Sequence, residues 1–215
     1  MSAARKAGGF ALLAVVASFG LCALAAPAPP PAILPHGQPD ARKATAGVYS
    51  LDPAHTAVIA RVSHLGFSMS VFRFGKVAAT LRWDPLRMER SSLSASVETS
   101  SIETPVPGFA AQLRGKDYLN AAKNPRATFV STAFRPRDEK SGVVEGRLTL
   151  MGRTLPASFE VRLVGAGPGF AAGPVMGHVL GVHALTHVDP KAIGLPSVFH
   201  EPIEISIDAE FAKKS

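Results

Sequence analysis

Residues Ile203–Phe211 read IEISIDAEF, the most regular stretch of the chain. Apolar side chains alternate there with polar or charged ones, a period of two that is typical of a β-strand with one dry face and one wet face. The same alternation recurs in KVAATLRW (Lys76–Trp83), LSASVET (Leu93–Thr99) and ASFEVRL (Ala157–Leu163). Strands with one solvated face form antiparallel sheets, so the sequence predicts an all-β fold.

Four further strands bring the predicted total to about eight. They lie near Tyr49–Leu65, Ala127–Phe134, Val143–Leu150 and Val175–His187. Eight antiparallel strands close into a barrel or pack as a two-layer sandwich.

Small residues on the dry faces favour a hollow, lipocalin-like barrel. Short side chains leave volume unfilled unless the sheets approach closely, and an eight-stranded barrel is wide enough for one small ligand. A solid core stays open as the alternative. The small inward residues are Ala79, Ala95, Gly146, Ala157 and Ala209.

One short helical insertion is predicted between Gly108 and Lys123. There FAAQLRGKDYLNAAK places Phe109, Leu113 and Tyr118 on the buried side. An outer-membrane barrel would show the same strand alternation, but it needs aromatic girdles at both interfaces. One tryptophan and two tyrosines do not supply them, so the sequence favours a soluble barrel.

Residues 1–25 have the features of a cleavable signal peptide. Arg5 and Lys6 precede an apolar run over residues 10–24, and Ala23-Leu24-Ala25 is a small-x-small cleavage site. A membrane span is the alternative, but the run is short and prolines follow it at once. We therefore expect export to the periplasm.

After the signal peptide, we expect a proline-rich linker over residues 26–46 and a folded barrel domain over residues 47–213. The single cysteine, Cys22, leaves with the signal peptide. The cleaved chain then has no disulfide, no cysteine nucleophile and no thiolate metal site.

Charge is spread thinly along the chain. The sequence has 23 Lys and Arg against 16 Asp and Glu, a formal net charge of +7, with no basic block. No nucleic-acid partner is expected, because a binding face would cluster these charges. Weak, transient contact with an anionic membrane surface fits the charge, but a solvated surface explains it equally well. The oligomeric state stays open, with a homodimer among the alternatives.

The histidines do not form a metal site by local geometry. His55 and His64 are nine residues apart, so in an unbroken strand they face opposite sides at about 30 Å. His183 and His187 would share a helical face, but the glycines and valines around them favour a strand. A strand places these two about 13 Å apart. We expect no metal and no cofactor.

Motifs of the common catalytic sites are missing from the sequence. It contains no Gly-x-Ser-x-Gly elbow, no Ser-x-x-Lys motif and no phosphate-cradling loop. Asp and Glu fall mostly in turns or on wet strand faces. We therefore expect no catalytic residues and a protein that is not an enzyme.

Several segments together resemble the YceI-like family of exported polyisoprenoid-binding proteins. The resemblance covers nearly all of the predicted domain, with a Gly-x-Leu-Thr-x-x-Gly-x-Thr-x-Pro pattern at Gly146–Pro156 and an opening Asp-Pro-x-His at Asp52–His55. Phe72 and Ile193 depart from the family pattern and would narrow a cavity. The segments are Tyr49–Ser68, Leu81–Pro85, Leu113–Phe134, Gly146–Val161 and Ile193–Phe211.

The resemblance implies a lipocalin-like barrel whose tunnel holds a long apolar molecule, such as a polyprenyl chain or a quinone tail, without a catalytic residue or a metal. His55 then serves as a structural hydrogen-bonding residue at a barrel end, whereas the imidazole of His64 faces a ligand head group or packs as a core histidine. Candidate wall residues are Phe67, Phe74, Trp83, Tyr118, Phe129, Leu148 and Phe159.

The predicted function is binding, sequestration or transport of an isoprenoid or related lipid. Two alternatives stay open. One is an enzyme that acts on a lipid or quinone in the same cavity, and the other is a stress or partner-binding protein with a solid barrel.

Overall fold

The computed structural model describes residues 34–214; the predicted signal peptide and residues 26–33 of the predicted linker lie outside them. Within the described part, the chain forms ten strands and two short α-helices. The strands are β1 (Gly47–His64), β2 (Ser68–Phe74), β3 (Val77–Trp83), β4 (Ser92–Glu98), β5 (Ile102–Glu103), β6 (Arg126–Pro136), β7 (Ser141–Leu150), β8 (Arg153–Ala172), β9 (Val175–Val188) and β10 (Ile203–Lys214).

Eight of these strands form a closed antiparallel barrel, as the alternation predicts. The sheet runs β10-β9-β8-β7-β6-β4-β3-β1, and β1 pairs back onto β10 to complete the ring. Along β1, residues 47–50 pair with β3 and residues 58–64 pair with β2. Strand β2 therefore continues the wall beyond β3, and the two-residue β5 pairs with its end.

The predicted helical insertion is present but short. Helix α1 covers Phe109–Arg114, and the rest of the predicted helix, up to Lys123, consists of turns. Leu113 is buried against Phe72 and Ile102. A second helix, α2 (Pro190–Ile193), was not predicted, and it begins where the side chain of Asp189 accepts a hydrogen bond from the backbone N–H of Lys191. No helix among the described residues has the length and apolar character needed to cross a bilayer.

Residues 38–46, the last part of the predicted linker, pack on the barrel, and we name them the strap. The backbone of Gln38 exchanges two hydrogen bonds of 2.8 Å with that of Ala166. Ala41 and Ala44 are buried in a core cluster with Tyr49 and Ala166. Small residues such as these alanines are typical of a linker sequence. In the strap they allow the backbone to lie close to the barrel wall.

The antiparallel strand order places the connections at two ends of the barrel. We call one the loop end, with the turn 65–67, the connection 104–125, the turn 151–152 and the connection 189–202. The other is the strap end, where the strap lies with the connections 84–91 and 137–140.

Candidate ligand-binding cavity

A cavity of about 620 Å³ lies inside the barrel. Its wall extends from Ser63, His64 and Tyr118 at the loop end to Met88 and the exposed, charged turn 138–140 at the strap end, and most of its lining side chains are apolar. The volume falls within the range of about 300–1,000 Å³ that is usual for small-molecule sites. The interior of the described barrel is thus hollow, and the solid-core alternative is wrong.

Short side chains in the wall account for much of this space. Ala79 of β3 lies directly opposite Ala95 of β4 in the strand register, and both line the cavity. Ala209 lines it from β10, whereas Gly146 and Ala157 of the predicted inward set are not among its lining residues. Phe72 and Ile193, the two departures from the family pattern, are buried in the wall and leave the cavity open.

Most of the predicted wall residues lie on the cavity. Phe129 and Phe159 stack edge to face at 4.9 Å between ring centroids, and Leu148 packs in the same cluster. Phe74 of β2 and Trp83 of β3 also line the wall, as does Tyr118 in the connection that follows α1. Their contact with a ligand stays a prediction.

Phe67 must be corrected. It lies in the turn between β1 and β2, its side chain is 86% exposed, and it is not part of the cavity wall. The inward positions of β1 and β2 are set by the pairing of His64 with Ser68. The even-numbered residues of both strands, such as Val62 and Phe72, line the cavity, so alternation carried into the turn places Phe67 on the outer face.

His64 lies at the last position of β1, where it is exposed and lines the loop-end mouth of the cavity. This exposed placement contradicts the core-histidine alternative, whereas contact between the imidazole and a ligand head group stays a prediction. Sequence reasoning missed Phe109, Phe199 and Phe211 as wall residues. Phe211 was detectable, because it belongs to the inward set of the opening stretch.

The comparisons with known proteins agree with this geometry. A family model described as "YceI-like domain" matches residues 49–211, which cover nearly the whole barrel. The chain belongs to the YceI-like family. A UPF0312 protein of Pseudomonas putida is 30% identical over 178 residues, which cover 81% of this chain and 91% of that relative.

Two solved structures show the same fold as this YceI-like chain. BcnA of Burkholderia cenocepacia matches with a TM-score of 0.65 and 22% identity over 74% of this chain and 98% of that one. A domain from Saccharophagus degradans described as polyisoprenoid binding matches with a TM-score of 0.53 and 12% identity, covering 76% of this chain and 97% of that one. At these identities the likeness concerns the fold.

Two buried hydroxyl groups in the wall of the YceI-like barrel are paired with the backbone. Thr56 donates to the carbonyl of Asp52 at 2.7 Å, and Thr99 donates to the carbonyl of Asn124 at 2.6 Å. Trp83 carries the one buried side-chain polar atom without a partner among the described residues, its Nε1. The cavity therefore presents few free polar groups to an occupant.

One cluster of potential metal ligands lies on the polar side of the barrel wall. Asp52 of β1 faces Glu210 of β10 in the strand register, and the bulge that follows brings His55 back beside them. The ligand atoms of the three lie within 4.8 Å of one another. His55 Nδ1 is 2.9 Å from a carboxylate oxygen of Asp52. The expected hydrogen-bonding role of His55 fits this contact, but the residue lies at a bulge within β1 rather than at a barrel end.

The contact between His55 and Asp52 shifts the pKa values of both residues. The hydrogen bond to Asp52 raises the pKa of His55, and the charges of Asp52 and Glu210 add to it. The same bond lowers the pKa of Asp52, while burial raises that of Glu210. The contribution of His55 to stability is present below its ordinary pKa of 6.5 and is lost as the pH rises through the raised value. That of Asp52 is lost as the pH falls through its lowered pKa.

We expect NMR titration to show His55 ionising above pH 6.5, and Asp52→Asn to return its pKa toward that value. Asp138→Asn, in the β6–β7 turn, should leave the His55 titration unchanged. A His55 curve that is the same in Asp52→Asn and in the wild type would show that the contact does not form in solution.

Proposed function

We propose that this YceI-like protein binds a long apolar molecule of the polyisoprenoid class in the barrel cavity and carries or sequesters it in the periplasm. The observation that supports the proposal most directly is the apolar wall around about 620 Å³. At about 30 Å³ per molecule, that volume would hold roughly 20 waters, and an apolar wall would offer them few hydrogen bonds. A hydrocarbon tail forms no hydrogen bonds, so it loses none when it enters such a cavity.

A long tail is favoured over a short one by the energetics. Each buried methylene contributes about 0.8 kcal/mol, whereas association costs on the order of 4 to 15 kcal/mol. A chain of about ten methylenes barely offsets that cost, and several isoprene units exceed it. The likeness in fold to the polyisoprenoid-binding domain of Saccharophagus degradans supports the same class of ligand.

Binding without chemical change is part of the proposal. The wall hydroxyls of Thr56 and Thr99 donate to backbone carbonyls, so neither is activated by a neighbouring base. Export to the periplasm rests on the signal peptide predicted over residues 1–25.

The direct test is solvent extraction of the purified protein followed by mass spectrometry. We expect an isoprenoid lipid at close to one molecule per chain after expression in a Gram-negative host. Extracts that repeatedly lack any apolar molecule, together with failure to take up an added prenyl quinone, would contradict the proposal. A lipid that is released chemically altered would favour an enzyme instead.

Fluorescence of Trp83, the single tryptophan, provides a second measurement. Since Trp83 lines the cavity, a prenyl quinone should quench its emission in a saturable way. The matched control is the same quinone ring without its isoprenoid tail, which should bind far more weakly because it buries few methylenes. Equal quenching by both compounds would contradict tail-driven binding in the cavity.

A further inference from the structure

The loop end of the barrel exposes an uncharged, apolar rim around the cavity mouth. Its three segments are SHLGFSM (63–69), TPVPG (104–108) and LPSVFH (195–200), and none of them contains Asp, Glu, Lys or Arg. Each segment places a large apolar side chain in solvent. The exposed fractions are 62% for Leu65, 86% for Phe67, 56% for Val106 and 57% for Val198.

These segments belong to the mouth itself. Ser63, His64 and Val106 line the cavity, and so does Phe199, whose ring contacts that of Tyr118 edge to face at 6.1 Å. Residues 62–65 and 198–201 meet at a shallow depression beside the opening. The rim is therefore continuous with the apolar wall inside.

Most of the strap end has the opposite character, apart from the β8–β9 turn, which leaves Phe170, Val175 and Met176 46–47% exposed. The other connections at this end read DARK (40–43), DPLRMERS (84–91) and RPRDEK (135–140), which are rich in charged residues. Several of these charges pair with each other, as Arg42 does with Asp40 at 3.0 Å. Moving such groups out of water is costly, so the strap end suits an aqueous face.

Basic residues flank the apolar rim. The loop-end connections 104–125, 151–152 and 189–202, together with the strand residues directly next to them, contain four acidic residues, Glu103, Asp117, Asp189 and Glu201. Against these stand six basic residues, and Lys or Arg near an anionic leaflet is attracted to it. The six are Arg114, Lys116, Lys123, Arg126, Arg153 and Lys191.

We propose that the loop end docks onto the surface of an anionic bilayer, with Leu65, Phe67, Val106 and Val198 entering the interfacial region. Exposed Phe and Leu flanked by basic residues are the combination that binds the headgroup boundary. The docked barrel turns its cavity mouth toward the lipid, so an apolar ligand passes between bilayer and cavity without crossing water. This inference extends the proposed carrier function, and the biological purpose of the docking depends on that function.

The backbone conformation of Leu65 indicates that this leucine has a role other than stabilising the turn. Its φ of 55° lies in the left-handed region, where a leucine is strained and asparagine is tolerated better. A turn selected for stability alone would place asparagine or glycine at this position, and a polar residue at position 67. The substitution Leu65→Asn should therefore preserve the turn.

The test uses the triple variant Leu65→Asn, Phe67→Ser and Val198→Thr, none of whose positions lines the cavity. Both it and the wild type start at Ala26, which keeps the compact unit 34–215 and removes the apolar run 10–24 that would bind vesicles by itself. With vesicles of equal parts phosphatidylcholine and phosphatidylglycerol, we expect wild-type binding in flotation and a loss of about tenfold or more in the triple variant.

Leu86→Ser is the matched control, because Leu86 is 82% exposed but lies in the β3–β4 connection at the strap end. It should bind vesicles like the wild type. Equal binding by the triple variant and the wild type would overturn the proposal. So would a wild type that does not bind vesicles and instead forms a dimer, if the triple variant is a monomer. Lipid extracted from the triple variant reports on the carrier function separately, since its cavity wall is intact.

Discussion

A phenylalanine in place of Ala79 is expected to displace the lipid from the barrel and to leave the fold intact. Ala79 lies on the cavity side of β3, directly opposite Ala95, so the new ring must occupy the lumen. If it takes the space of about three methylenes, the bound tail loses about 2.4 kcal/mol, close to fiftyfold in affinity. Prenyl-quinone titration followed through Trp83 measures this loss.

The affinity of Ala79→Phe for lipid should fall, but its stability should rise. The ring fills space that is apolar and otherwise lacks packing partners, and filling a cavity commonly raises the free energy of unfolding by about 0.5–2 kcal/mol. Thermal unfolding of the lipid-free protein checks this. Loss of lipid together with a rise in stability would separate blocking of the cavity from misfolding.

Ala78→Phe provides the control for this variant. Ala78 is the preceding residue of the same strand, and its side chain is exposed. The same ring added there should leave the lipid content unchanged. If Ala79→Phe retains a full complement of lipid, the ligand does not pass this part of the cavity, and the wall assignment around β3 and β4 is wrong.

The sequence predicts the barrel strands where the two faces of a strand differ in polarity. All eight predicted segments are strands of the barrel, from β1 to β10. Strand β2 was missed because its faces do not contrast: the inward side carries Ser70 and Phe72, and the outward side carries the exposed Met69 and Val71. The end of β8, residues 164–172, was missed because glycine and proline weaken a strand pattern.

The residues of the cavity wall can be predicted from the sequence where they lie on a predicted strand. Alternation identifies inward residues such as Phe129 and Phe159 once a strand is recognised. It gives no support for Phe67 as a wall residue, because Phe67 lies in a turn at an outward, odd-numbered position. It also fails at the strap, since the burial of Ala41 and Ala44 depends on contacts distant in sequence. Phe109 and Phe199 lie in connections, where no period applies.

The substitution Gly146→Ala is expected to destabilise the barrel, although alanine normally suits a strand better than glycine does. A methyl group at this position of β7 would overlap the carbonyl oxygen of Val130 on the neighbouring β6, and would lie 2.5 and 2.7 Å from two carbons of the Phe129 ring. The ring can turn into the cavity, but the carbonyl belongs to the sheet backbone. Overpacking of this kind costs about 1–3 kcal/mol, measured as a fall in the free energy of unfolding.

Gly181→Ala is the matched control, because Gly181 also lies within a barrel strand, β9, and its nearest neighbours would be 3.7 Å from the new methyl group. With room for the methyl group, alanine should leave stability unchanged or raise it by about 0.4–1 kcal/mol, since it restricts the unfolded chain. The two variants make the same chemical change with opposite expected signs. If Gly146→Ala proved as stable as Gly181→Ala, the close approach of β6 and β7 around Phe129 would be refuted, and with it the position of this ring in the cavity wall.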